Sequence, residues 1–173
     1  MRALVVYESM FGNTARVARE VAEGLAGHAE VELRSVADAP VQPDETLDLV
    51  VVGGPTHAFS LSRPTTREDA RRQGAGDAAD GPGLREWLDG LHAGAHHPQV
   101  AAFDTRVTKV RRIPGSAARK ASKVAGRLGY SLAEHPESFF VEDVDGPLSD
   151  GELERARAWG DRIGAHLEHL VPN

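Results

Sequence analysis

A chain of 173 residues is long enough to bury the core of one ordinary domain, and nothing in its length calls for a second. Aromatic residues make up only 5% of it, so the core must rest on Val, Leu and Ala, which favours a helix-covered parallel sheet over an aromatic-rich β-sandwich. The absence of cysteine excludes disulfides, thiolate nucleophiles and iron–sulfur ligation by the chain itself. The net charge of −6 gives no support to general nucleic-acid binding.

The apolar run 3–7 includes two β-branched residues and is closed by Glu8, as expected of a strand buried on both faces. It is too short for a signal peptide or a membrane span, so the expectation is a cytoplasmic protein with no membrane partner. Val17, Ala18, Val21, Ala22 and Leu25 then fall at helical spacing, which predicts a helix over 14–26 with Gly27 as its stop. Residues 31–36 alternate apolar with polar, and 47–52 form a second apolar run ended by Gly53-Gly54-Pro55; both read as strands.

Residues 60–83 are rich in Arg, Asp, Gly and Pro without periodicity and read as a long loop. Leu84, Trp87, Leu88 and Leu91 mark a short helix, 99–107 a strand, 117–128 a basic helix and 138–141 a strand. A closing helix carries Leu153, Ala156, Trp159, Ile163 and Leu167 on one stripe. This βαβ alternation over 1–173, with right-handed crossovers, predicts one α/β domain: a doubly wound, five-stranded parallel sheet with helices on both sides.

The segment Ser9-Met10-Phe11-Gly12-Asn13-Thr14 joins the first strand to the first helix. There, unpaired backbone N–H groups and the helix dipole make an anion site. Ser9, Asn13 and Thr14 add side-chain donors, and Gly12 lets the backbone turn. Simple helix capping by Asn13 or Thr14 is compatible with the same residues. The loop lacks the Gly-Lys-Ser/Thr ending of nucleotide triphosphatases and the G-x-G-x-x-G of dinucleotide binders.

The stretch from Val6 to Thr14 resembles the FMN phosphate loop of flavodoxins and flavodoxin domains. The likeness extends more loosely along nearly the whole chain, through Gly53-Gly54-Pro55-Thr56-His57-Ala58-Phe59 and Phe103-Asp104-Thr105-Arg106. It implies a flavodoxin-like three-layer fold with strand order 2-1-3-4-5 and FMN as cofactor. The phosphate would lie on Ser9 to Thr14. Pro55, Thr56, His57, Ala58 and Phe59, with Phe103, Asp104, Thr105 and Arg106, would sandwich or hydrogen-bond the ring. Phe59 is the candidate for stacking on the flavin, and His57 for a contact to the ring or ribityl chain.

Many flavodoxins have a hydroxyl residue in place of Phe11, a small residue in place of Glu8 and an aromatic on each flavin face. Here only Phe59 is offered, and no Tyr follows Asp104. A more open ring is accessible to a hydride donor or a quinone. The run Arg106, Lys109, Arg111, Arg112, Arg119, Lys120, Lys123 and Arg127 contains no acid. Its ordinary meaning is a solvated helix face; the sharper one is that Arg106, Arg111 or Arg112 favours negative charge on a reduced flavin, or docks an acidic partner.

His92, His96 and His97 lack a completing ligand set for a metal, and no nucleophile elbow points to hydrolysis. The primary expectation is an electron carrier between a separate flavin or NAD(P)H reductase and an acceptor, protein or small molecule. The alternatives are an FMN-dependent NAD(P)H reductase of quinones and a flavodoxin-like binding domain without flavin.

Overall fold

The computed structural model describes residues 1–76, 80–92 and 97–169. Five strands, β1 (Arg2–Tyr7), β2 (Glu30–Ser35), β3 (Leu49–Pro55), β4 (Gln99–Val107) and β5 (Glu137–Val141), form one sheet in the order β2-β1-β3-β4-β5. Every adjacent pair is parallel. β3 and β4 are buried almost throughout, as expected of inner strands covered on both faces. β2, at the edge, alternates exposed with half-buried residues.

Because successive side chains of a strand point to opposite faces, each strand feeds two cores. Ala3, Val5, Leu49, Val51, Ala101 and Phe103 meet α1 (Asn13–Leu25) and α5 (Glu152–Glu168) on one face. Leu4, Val6, Val50, Val52, Val100 and Ala102 meet α3 (Leu84–Asp89) and α4 (Ala117–Arg127) on the other. On the first face Phe103, Phe139 and Trp159 form a triangle of edge-to-face contacts with centroids 6.0 to 6.1 Å apart. Each such contact adds about 0.5–1.5 kcal/mol to the burial itself.

Helices α1 and α5 approach to backbone contact. A Cβ on Gly24 would lie 2.1 Å from the Arg157 carbonyl oxygen, and one on Gly160 would lie 2.3 Å from that of Val21. No other residue type fits either position without moving a helix.

The segment 60–83 is not the structureless loop its composition predicts. It contains α2 (Pro64–Arg72), which begins with Pro at its first position and with the Arg63 N–H donating to Thr66 Oγ1 at 2.9 Å. Only Arg67 and Ala70 of α2 are buried, so the helix carries no apolar stripe for a periodicity argument to find. No described helix is long and apolar enough to cross a membrane.

Candidate functional site

The chain crosses from β1 to β2 on one side and returns to β3 on the other. This leaves a switch point between β1 and β3, where open α/β sheets place ligands at the carboxyl ends of their strands. A cavity of about 300 Å³ lies there, at the lower end of the range for small-molecule clefts. Met10, Phe11, Asn13 and Thr14 form one wall, Pro55, Thr56, His57 and Ala58 a second, and Thr105 and Arg106 a third, joined by Val107, Val141 and Val144. The fourth wall is α2, through Thr66, Asp69, Ala70 and Gln73. The α2 residues were not legible in the sequence; the signal available was the Pro64 start with Thr66 two residues on.

At the phosphate-like loop, Gly12 is the N-cap of α1 with φ 89°, in the left-handed region, and has no side chain of its own to cap the helix. Asn13 and Thr14 of that first turn line the cavity. The side chains there hold the loop itself. Thr14 Oγ1 and Thr105 Oγ1 share a hydrogen bond of 2.7 Å, tying the start of α1 to the end of β4. Asn13 Nδ2 donates to the Asp145 carbonyl at 3.1 Å. Ser9 Oγ accepts from the Ala15 N–H at 3.2 Å and lies outside the cavity walls, as does Gly12. Met10 and Phe11 pack against Ala70 of α2.

Three further residues expected at the ring lie elsewhere. Phe103 is 1% exposed and belongs to the aromatic triangle on the α1/α5 face, because strand parity points it away from α4. Asp104, on the opposite parity, is fully buried beneath the start of α4, where Oδ2 accepts from the Ala118 N–H at 2.9 Å. Burial pushes its carboxyl above the ordinary carboxylate range, against hydrogen bonds that pull it down. Phe59 is 44% exposed and is not among the cavity walls. His57 and Ser60 exchange backbone hydrogen bonds of 2.9 and 3.0 Å around a two-residue turn that forces φ 46° on Ala58 and 61° on Phe59. Phe59 then presses against Gly115, where a Cβ would stand 2.9 Å from the Phe59 carbonyl oxygen. Non-glycine residues in that conformation cost on the order of 1 kcal/mol each, strain of the kind that collects at ligand loops.

Arg106 is 7% exposed and lines the cavity. Its Nη2 donates to the carbonyls of Val110 at 2.5 Å and Ile113 at 3.0 Å, which fixes the loop after β4, while its Nε has no partner among the described residues. Thr56 Oγ1 accepts from the Ala117 N–H at 2.9 Å, so its own proton is left as a donor. His57 is pushed below the ordinary histidine range by burial and, secondarily, by the charge of Arg67, which keeps it a neutral donor and acceptor.

Behind these walls lies a buried polar network that the sequence did not reveal. Glu8 Oε1 accepts from the Ser62 hydroxyl at 2.5 Å, and Oε2 accepts from the Leu84 N–H at 2.8 Å. Arg67 Nη1 donates to Ser62 Oγ at 3.0 Å and Glu86 Oε2 at 3.1 Å, and the Gly83 N–H donates to Glu86 at 2.8 Å. Burial raises the Glu8 carboxyl above its usual range, opposed by the Ser62 and Leu84 hydrogen bonds. Glu8 thus fastens segment 60–84, and with it the α2 wall, to the end of β1. Among the described residues no cluster of His, Asp and Glu could hold a metal; His92 and His97 are described and His96 lies outside the described residues.

Topology and cavity define a flavodoxin-like α/β fold. Among solved structures, the chain is similar to a flavodoxin from the domain Archaea, with TM-score 0.67 and 18% identity, over 98% of this chain and 100% of that one. It is similar to the Streptococcus pneumoniae TIGR4 flavodoxin at TM-score 0.65 and 16% identity, over 99% and 100%. Rubredoxin oxygen:oxidoreductase from Desulfovibrio gigas matches at TM-score 0.64 and 15% identity, over 97% of this chain and 36% of that one. No family model matches the sequence, and no curated protein matches it.

Proposed function

We propose that this protein binds FMN in the cavity between β1, β3 and β4 and serves as an electron-transfer protein, taking electrons from a separate reductase and passing them to an acceptor. The observation that carries the reading is the N-terminus of α1, whose first residues Asn13 and Thr14 line the same cleft that the loops after β3 and β4 enclose. A phosphate site and a ring site thereby share one cavity at the switch point. The unpartnered Nε of Arg106 in its wall is the second feature that fits an anionic, hydrogen-bonding cofactor. When bound, FMN supplies the electron storage that no side chain of a cysteine-free chain provides.

The chain's own part is to bind and to set charge. Backbone N–H groups of the first turn of α1 hold the phosphate without a cationic side chain in the loop 9–14. Thr56 and neutral His57 offer hydrogen bonds along the second wall. Arg106 brings a positive charge to the third wall, where partial burial strengthens it relative to water and favours a negatively charged form of whatever lies beside it. Phe59 stands outside the walls, and Phe11 is the Phe that lines them.

That openness favours a second reading, direct reduction by NAD(P)H with a quinone as acceptor. Titration of the stripped protein with FMN separates the cases. Stoichiometric quenching of flavin fluorescence is expected. No binding at high FMN concentration leaves the loop a structural cap and overturns the redox reading. With FMN bound, an absence of NADPH oxidation by the protein alone supports the carrier, and turnover selects the reductase.

A further inference from the structure

The segment 106–133 carries eight Lys or Arg and no Asp or Glu, in a chain of net charge −6. Arg119, Lys123 and Arg127 stand at i, i+4 and i+8 on α4, all exposed, opposite the buried Ala117, Ala121 and Ala125. They form a row about 12 Å long at 1.5 Å per residue. Lys109, Arg111 and Arg112, also exposed, continue the charge through the loop that leads back to Arg106 and the cavity.

A run of like charge on a helix is ordinarily a solvated face laced with counter-charges. On α2 that is what occurs: Arg71 pairs with Glu68 and Asp80, and Arg72 with Glu68 and Asp69. None of the seven cations on α4 and its leading loop, Lys120 included, makes an ion pair among the described residues. Their mutual repulsion is left without a paired counter-charge among the described residues, and an external anion relieves it.

The same surface offers apolar anchors. Leu132, 45% exposed, shares a shallow cleft with Arg119 and Lys123, and Ile113, 44% exposed, follows Arg112. The loop is fixed in advance by the bonds from Arg106 to the Val110 and Ile113 carbonyls, so docking on it costs little ordering entropy. A cationic row of this length with apolar residues beside it fits a protein surface better than a single phosphate.

We infer that α4 and its leading loop form the docking surface for an acidic redox protein, which it brings against the mouth of the cavity. The redox character of the partner rests on the flavin reading above; its acidity rests on the charge pattern alone.

The test is calorimetric titration of the FMN-loaded protein with a plant-type ferredoxin of net negative charge, at ~20 mM and ~300 mM salt, with a basic cytochrome c and a DNA duplex in parallel. Ferredoxin binding that weakens about tenfold or more across that range is expected, with no binding of cytochrome c. Arg119→Gln/Lys123→Gln/Arg127→Gln should weaken ferredoxin binding about tenfold at low salt and leave FMN affinity unchanged. Absence of salt-dependent ferredoxin binding, equal binding by the triple variant, or tighter binding of DNA than of ferredoxin overturns the inference. Ferredoxin binding without FMN uptake keeps the surface and overturns the flavin reading, whereas FMN uptake without ferredoxin binding does the reverse.

Discussion

The α1/α5 face of the sheet and the side that carries α2 and α3 are held by different physics. On the first, Phe103, Phe139 and Trp159 interlock without a polar group among them except the indole N–H, and Gly24 and Gly160 bring two helices to backbone contact. On the second, Leu84, Trp87 and Leu88 supply apolar cover, but the segment leading to them is tied down by Glu8, Ser62, Arg67 and Glu86 through hydrogen bonds. Volume secures the face away from the cavity; buried charge secures the wall beside it. A cavity wall built of hydrogen bonds can be polar where a ligand needs it, at the cost of sensitivity to pH and to the loss of any one partner.

The largest expected effect breaks the first face. Trp159→Ala should cost about 3–5 kcal/mol, read as a shift of the urea unfolding midpoint, by removing the largest fully buried side chain. Trp159→Phe should cost less, because the indole N–H has no hydrogen-bond partner among the described residues to lose. At temperatures where either variant stays folded, FMN affinity should be unchanged, since the triangle does not border the cavity.

The next effect breaks the second. Glu8→Ala leaves the Ser62 hydroxyl and the Leu84 N–H without their buried acceptor and should cost about 2–3 kcal/mol. Hydrogen exchange should show the loss concentrated in α2 and α3, and FMN affinity should fall with it. The pH dependence sharpens this comparison. A carboxyl raised by burial binds a proton more tightly folded than unfolded, so its contribution makes stability fall as pH rises from about 4.5 through its folded value. The stability of the native chain minus that of Glu8→Gln should therefore decline over that window, measured by denaturant midpoints at a series of pH values. A difference that instead rises with pH contradicts the burial argument.

Arg106→Met should loosen the loop after β4 and remove the positive charge from the cavity, lowering FMN affinity about tenfold by fluorescence titration. A flavin midpoint potential more negative than that of the native chain is expected in the same variant, which a purely structural role would not produce. Smallest of all, Thr14→Val removes one hydroxyl of the Thr14–Thr105 pair and should cost about 1 kcal/mol. An FMN affinity unaffected by that change would make the pair a clasp between α1 and β4 only.

Much of this was legible before any coordinates. Apolar runs and, for β2, alternation placed the five strands, helical spacing placed α1, α3, α4 and α5, the βαβ alternation gave a parallel sheet, and the resemblance to flavodoxins implied the observed strand order. Ten of the fifteen residues assigned to the site do line the cavity. The departures from expectation have physical reasons. α2 went unseen because only Arg67 and Ala70 of it are buried, so no stripe betrays it. Phe103 and Phe59 were assigned by their place in a loop, but one is turned inward by strand parity and the other aside by a turn with positive φ.

By itself, then, the sequence determined the periodic elements, their parallel arrangement and the position of an anion-friendly loop, because these follow from local spacing and from the short reach of backbone geometry. Tertiary structure alone decided what Glu8 is for, which wall α2 supplies and which cations are left unpaired. Each depends on contacts such as Glu8 with Leu84, separated by 76 residues in the chain, and a one-dimensional pattern carries no record of which distant partner a buried charge will meet.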